Sequence, residues 1–285
     1  MFKTISDVLK WIGSHFLGLL FVLIVLIIIL PSEKPKNFNA NLQEIELKGP
    51  IMSSDDILKQ IEDAKDNEKI KGVLFSINSP GGAVAPSIDI AYAIKDLSKT
   101  KPVLVYGGDV MASGGYYSAI YANKIMANPG SMIGSIGVIM EGANIDPLLK
   151  KIGIETQIVK QGRYKEIGTM SREWTEEERK ELETITRDTY DLFVKDVTSA
   201  RKLNIKNMDQ YADAHVYSAL RAKNVGLIDL IGTKQQAKEE IKKMSNVKEA
   251  KWKEKDKVDQ FFDKLSSETA SKISSYIFGL KATMF

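Results

Sequence analysis

The sequence predicts an α/β fold with substantial parallel pairing, and three observations predict it. Short apolar and β-branched runs recur, among them Val73-Leu74-Phe75-Ser76-Ile77, Val103-Leu104-Val105-Tyr106 and Ile125-Met126-Ala127, each closed by asparagine or glycine. Segments with apolar residues at helical spacing alternate with these runs. Two of the handovers pass through small residues, at Pro80-Gly81-Gly82 and at Ala112-Ser113-Gly114-Gly115.

Residues 1–10 are polar and mixed, whereas 11–30 are almost wholly apolar, with no charge from Phe16 to Leu30. At about 1.5 Å per residue such a helix just crosses a hydrocarbon core of about 30 Å. A cleaved signal peptide would end in an Ala-x-Ala-like pattern, which Leu30-Pro31-Ser32-Glu33-Lys34-Pro35 lacks. An uncleaved transmembrane anchor over 11–30 is therefore expected. Lys3 and Lys10 on one side face Lys34 and Lys36 on the other, so the charge bias for orientation is slight. Residues 31–41 form a polar, proline-containing linker.

The main domain is expected over 42–233. Ile45-Glu46-Leu47 alternates like a first strand, and 54–66 carries Ile57, Leu58 and Ile61 at helical spacing behind a Ser53 or Ser54 cap. After the strand at Val73, the residues Ile88, Ile90, Ala91, Ile94 and Leu97 predict a helix. The strand from Val103 is expected to turn at Gly107-Gly108, and Tyr116, Tyr117, Ala119, Ile120 and Ala122 to form a close-packed helix. Two further strands, 125–127 and 134–139, flank the turn Asn128-Pro129-Gly130. A short helix opens at Ile145, and 156–160 returns to strand. Thr175 and Glu178 make a capping box for a helix whose stripe is Leu182, Ile185, Thr189, Leu192, Phe193 and Val197. That stripe buries on its own domain or on a neighbouring subunit. A helix and a strand complete 211–232. Residues 234–257 are a charged helical region, and 258–285 an amphipathic tail suited to a membrane surface or a groove.

Composition removes several function classes. The chain has 285 residues, a net charge of +3 and 44% hydrophobic residues, so nothing marks a general nucleic-acid footprint. Cysteine is absent, which excludes thiol catalysis, disulfides and cysteine-held metals. Only His15 and His215 are present, so histidine-rich metal sites are excluded too. No metal and no cofactor is expected.

Ser113 stands where a strand hands over to a helix, between residues too small to block a substrate. Free backbone N–H groups converge at a helix start, which supplies donors for an oxyanion. A serine there ordinarily serves as a cap. As a nucleophile it needs a base, and His215 is the only imidazole outside the anchor region. A lysine is the other option, once burial brings an amine down from about 10.4 toward neutrality. Gly81-Gly82 follows a buried strand, but no Gly-Lys-Ser/Thr comes after it, so a phosphate loop is disfavoured. It is either an ordinary tight turn or the source of a second oxyanion donor.

Four motifs together resemble the signal peptide peptidase A, or protease IV, family. They are Asn78-Ser79-Pro80-Gly81-Gly82, Met111-Ala112-Ser113-Gly114-Gly115-Tyr116-Tyr117, Gly130 to Val138, and Tyr164-Lys165-Glu166-Ile167. The likeness runs from about Leu42 to Gly232 and includes Ser-Arg-Glu-x-Thr-x-Glu-Glu-Arg at Ser171 to Arg179. The resemblance implies a Clp protease and crotonase-like fold of repeated ββα units, in the short single-domain form. It implies Ser113 as nucleophile, Lys165 as general base, Ser135 as a hydroxyl beside the amine, and Gly82 and Gly114 as oxyanion donors. It further implies a peptidase in the inner membrane, facing the extracytoplasmic side, assembled as a homo-oligomeric ring. Its substrates would be signal peptides and other short apolar peptides left after export.

Glu166 would oppose an amine base if both side chains faced one site, and alternation along an extended segment would separate them. A non-catalytic peptide-binding scaffold of the same fold is the alternative from another class. A crotonase-like acyl-CoA enzyme is disfavoured, because an anchored domain outside the cytoplasm would not meet CoA thioesters.

Overall fold

The structure is a computed structural model that describes residues 5–29 and 39–254. The chain divides into two units, one of Met1–Asn39 with Lys253–Phe285 and one of Ala40–Trp252.

In the first unit the described residues form α1 (Ile5–Ser14) and α2 (Phe16–Ile29). Among the described residues no helix is long and apolar enough to cross a membrane. The predicted span is divided at His15, and the 14 residues of α2 reach only roughly 21 Å. Hydrogen bonding nevertheless runs through the division: the His15 N–H donates to the Trp11 carbonyl at 3.1 Å and the Leu19 N–H to the His15 carbonyl at 2.8 Å. Most of the expected linker and all of the 258–285 tail lie outside the described residues.

The second unit alternates strands and helices in chain order: β1 (Leu42–Lys48), α3 (Asp55–Asp66), β2 (Gly72–Ser79), α4 (Val84–Leu97), β3 (Val103–Ala112), α5 (Gly114–Ala119), β4 (Lys124–Ala127) and β5 (Met132–Gly134). Then come α6 (Asp146–Lys151), α7 (Glu176–Arg201), β6 (Val216–Ser218), α8 (Ala219–Asn224), β7 (Leu230–Ile231) and α9 (Lys234–Met244). Among the described residues the sheet has the order β1-β2-β3-β4-β7, all parallel, with β5 parallel to β3 and β6 antiparallel to β5. The predicted α/β class with parallel pairing is what forms.

Strand alternation explains the two-sided core. Val73, Phe75 and Ile77 point to the layer that holds Ile57, Ile61, Ile90 and Ile94 of α3 and α4. Leu74, Leu104 and Met126 point the other way, onto Ala237 and Ile241 of α9. Both faces are covered, which is why these strands read as unbroken apolar runs. The charged region ends its helix at Met244, short of the predicted 257 among the residues described.

A buried hydrogen bond ties α5 to the segment that precedes β7. The fully buried Tyr116 donates its hydroxyl to the Leu227 carbonyl at 2.7 Å, and burial pushes its phenol well above the ordinary range. Tyr116→Phe leaves that carbonyl unpaired, and thermal unfolding is expected to register a loss of about 1–2 kcal/mol.

Three local expectations are corrected. The chain does not turn at Gly107-Gly108; β3 continues to Ala112, and its register with β2 slips between Ile77 and Ser79. A strand can bulge where glycine removes the side-chain constraint, and β3 uses the slip to change neighbours from β4 to β5. The expected strand over 134–139 stops at Gly134, because Gly134 at φ 102° and Ser135 at φ 50° leave the extended region. Residues 156–160 form no strand. They have the right composition but no partner in the sheet, and Val159 is 100% exposed.

Candidate active site

β3 delivers Ser113 to the start of α5 with backbone angles φ 50°, ψ −125°, a conformation that costs an ordinary residue strain energy. Two hydrogen bonds hold it there. The Ser113 N–H donates to the Gly134 carbonyl at 2.7 Å, and its carbonyl accepts the Tyr117 N–H at 2.9 Å. Strand β5 thereby joins the nucleophile candidate to its neighbour in the same cavity, Ser135, whose N–H is taken by the His215 carbonyl at 2.8 Å.

Gly81 and Gly82 come from the end of β2. The Ser79 hydroxyl accepts the Gly81 N–H at 3.1 Å, and the Asn78 side chain accepts the Val110 N–H at 3.2 Å. Ser79 therefore serves the turn, whereas Asn78, which also donates to Asp109, fastens the end of β2 to β3. A short parallel bridge to Ile51 uses the Gly81 carbonyl at 2.9 Å and the Ala83 N–H at 2.7 Å. Alternation then turns the Gly82 N–H to the opposite side. Gly114 opens α5, so its N–H has no acceptor within the helix. The two glycines lie close together: a Cβ on Gly114 would sit 3.4 Å from the Gly82 nitrogen and 2.3 Å from the Ser87 hydroxyl. Only glycine permits this approach, and the approach brings two backbone donors beside Ser113.

Ser113, Ser135, Gly82 and Gly114 line one cavity of about 490 Å³. Its remaining wall is largely apolar, with Val84, Ile88, Val138, Ile139, Leu192 and Phe193. Sequence reading did not assign Tyr117 and Asp196 to this region. Tyr117 lines the cavity, packs on Phe193 with ring centroids 4.8 Å apart, and donates its hydroxyl to the buried Asp196, which also accepts from Tyr92 at 3.3 Å. Burial, and then the Asp196 carboxylate, push the Tyr117 phenol far up, so it remains a donor. The available signal was an acidic residue at helical spacing with Phe193 and set between Val194 and Val197.

Lys165 stands apart from this cluster. It lies in a run of turns over 161–168, is exposed, and does not line the cavity. Glu166, its neighbour, is bound elsewhere, by Lys160 and by Arg172 at 3.3 Å, and these partners hold its carboxyl below the usual range. His215 is also outside the cavity, pairing through Nδ1 with Asp213 at 3.5 Å.

The model of peptidase family S49 matches residues 95–248, more than half of the chain. The chain belongs to peptidase family S49. Among relatives of this S49 peptidase, a putative protease of Methanocaldococcus jannaschii is 40% identical over 187 residues, covering 66% of this chain and 60% of that protein. A putative protease of Synechocystis sp. is 36% identical over 200 residues, 70% of this chain and 72% of the other. A putative signal peptide peptidase of Enterococcus faecium is 33% identical over 197 residues, 68% of this chain and 56% of the other. The aligned part thus spans about 60% of the first relative's length and rather more of the second's. The S49 match contains Ser113, Ser135 and Lys165 and begins after Gly82.

Proposed function

We propose that this S49 peptidase is a membrane-anchored serine endopeptidase that hydrolyses signal peptides and other short apolar peptides remaining after export. The observation that carries the reading is Ser113 on a strained strand-to-helix corner, with the Gly82 and Gly114 N–H groups beside it. The Ser113 hydroxyl attacks the scissile carbonyl while an amine base takes its proton, and the two N–H groups hold the oxyanion. Collapse of the tetrahedral intermediate releases the new peptide amine, which receives that proton. Water then deacylates the enzyme by the same route.

Lys165 is the amine in this reading, with Ser135 as the hydroxyl that receives it inside the cavity. The loop of Lys165 is fastened at the first turn of α7, by Arg163 to Glu177 and by Glu166 through Arg172 to Glu178. The cavity meets α7 at Thr189 to Phe193, roughly 17–22 Å further along the helix. That separation favours a base supplied by a neighbouring copy in a ring. The stretch around it supports the same view: α6 buries no residue, and Ile139, Leu148, Ile152, Val159 and Met170 are all exposed. Exposed apolar surface on this scale marks an association face.

The apolar wall suits apolar side chains, and the name of the Enterococcus faecium relative points to signal peptides. Anchoring is supported by the uncharged apolar run and by helical hydrogen bonds that continue through His15; the extracytoplasmic face for the catalytic unit follows from the family resemblance alone. The exposed position of Lys165 is the one observation that favours the non-catalytic scaffold. One experiment separates the two readings. An acylating serine probe is expected to modify Ser113 in the full-length protein, and Lys165→Ala to remove the labelling. Peptide binding with no labelling at any pH leaves only the scaffold.

A further inference from the structure

The Ser171 to Arg179 stretch has no part in the chemistry above, yet it is the most heavily bonded segment near Lys165. Arg172 lays both guanidinium nitrogens on Glu178, at 2.8 and 2.7 Å, and its Nη2 reaches Glu166 at 3.3 Å. Glu178 is itself fixed. Its carboxylate accepts the Thr175 N–H at 2.9 Å, and its own N–H donates to the Thr175 hydroxyl at 3.2 Å, completing the cap of α7. The Glu178 side chain is only 4% exposed, and Arg172 and the Thr175 N–H bring its carboxyl down to about 2. The carboxylate at the centre of the clamp stays ionised across the whole working range.

Lys165 has no comparable support of its own. It sits in turns, with its N–H on the Gly162 carbonyl at 3.3 Å, and its side chain is exposed. Its neighbours fix this loop, Arg163 by pairing with Glu177 and Glu166 by pairing with Arg172. Glu166 is gripped by Lys160 and Arg172, and Thr169 is held by the Trp174 indole, which donates to its carbonyl at 2.8 Å.

We propose that Arg172 is a positioning residue for Lys165: by bridging Glu166 to the capped start of α7, it sets the amine on a rigid helix end and neutralises the carboxylate beside it. The proposal rests on the reading of Lys165 as the base. Arginine suits the task because one planar fork spans the Glu178 carboxylate and still presents Nη2 to a second one. A lysine is a point charge and cannot bridge both with fixed geometry.

The test is steady-state cleavage of an apolar reporter peptide by the full-length protein over a range of pH. Arg172→Ala is expected to lower kcat by about ten- to a hundredfold and to leave KM within about twofold, since the cavity walls are untouched. The rising limb of its pH profile is expected to move to higher pH, because Glu166 then faces only Lys160 and a carboxylate favours the protonated amine. Glu166→Gln is also expected to lower kcat, but with its rising limb moved to lower pH. Arg163 and Glu177, the other charges flanking the loop, are unchanged in both. Arg172→Lys is expected to recover part of the rate. A merely structural role would lower the unfolding temperature of these variants without opposite displacements of the limb, and that result overturns the proposal. If Arg172→Ala does not fold, Arg172→Lys and Glu166→Gln decide it: wild-type kcat with undisplaced limbs in both is equally fatal. Failure of the parent reading shows differently, as activity that survives in Lys165→Ala.

Discussion

Replacing Ser113 with glycine is expected to raise stability by about 1 kcal/mol while abolishing peptide cleavage. At φ 50°, ψ −125° the native serine sits outside the regions open to L-residues, and a strain of about 1–3 kcal/mol is typical of such a position. Glycine adopts these angles freely, and its larger chain entropy in the unfolded state returns only about 0.5–1 kcal/mol of the gain. For a domain of this size the net effect is a rise in Tm of roughly 2–4 °C. Ser113→Ala keeps the Cβ and hence the strain, so its Tm is expected to match the native protein. Both variants lose the nucleophile, and peptide hydrolysis is expected to fall by about 10⁴-fold or more. Thermal unfolding and a peptide assay on the three proteins check this. If Ser113→Gly melts below Ser113→Ala, the corner stores no strain and is not a preorganised nucleophile site. Enzymes hold strained residues where geometry matters more than stability, and the neighbouring Ser135, also at φ 50°, shows the same pattern in the same cavity.

Ser113 was legible because everything that defines it is local. A buried strand, small residues and a helix within Val103 to Ala122 fix both its place and its exposure, and the structure keeps that order. The glycines were legible in type, yet their closeness came only from folding: Gly81 and Ser113 are distant in sequence, and a Cβ on Gly81 would lie 2.8 Å from the Ser113 Cβ. Lys165 was named through its motif, but no periodicity says which cavity a turn residue reaches. Residues 156–160 mislead for a related reason. Their composition fits a strand, but pairing is a property of a partner, and the sheet offers none. The stripe on α7 was right in burial only toward its C-terminal end: Phe193 and Val197 are buried, whereas Ile185 at 41% and Leu192 at 38% are exposed. The clamp on Glu178 was half visible: the capping box has a fixed sequence spacing, whereas the bidentate bond from Arg172, six residues upstream, depends on how the chain bends between the two.

Two inactive variants are expected to make an active enzyme when co-expressed. Ser113→Ala retains its amine and Lys165→Ala its hydroxyl, and each alone is expected to cleave nothing measurable. In a ring with head-to-tail contacts, an equal random mixture places a native Ser113 against a native Lys165 at about one quarter of the interfaces. Recovery of about a quarter of native activity is the expected result. The argument is one of lengths. Phe193 packs against Tyr117, one helical turn from Ser113, whereas the loop of Lys165 is fastened at Glu177 and Glu178. Helix α7 separates those points by roughly 22 Å, and an extended lysine side chain spans roughly 6 Å. Leu182, Ile185 and Leu192, on the less buried part of α7, would then lie where the next copy docks. If each chain used its own lysine, no mixing ratio would restore turnover, since every chain would lack one half of the pair. A co-expressed sample that assembles normally yet stays inactive therefore overturns the shared site, and it leaves the single-chain arrangement in need of a large movement of the 161–168 loop.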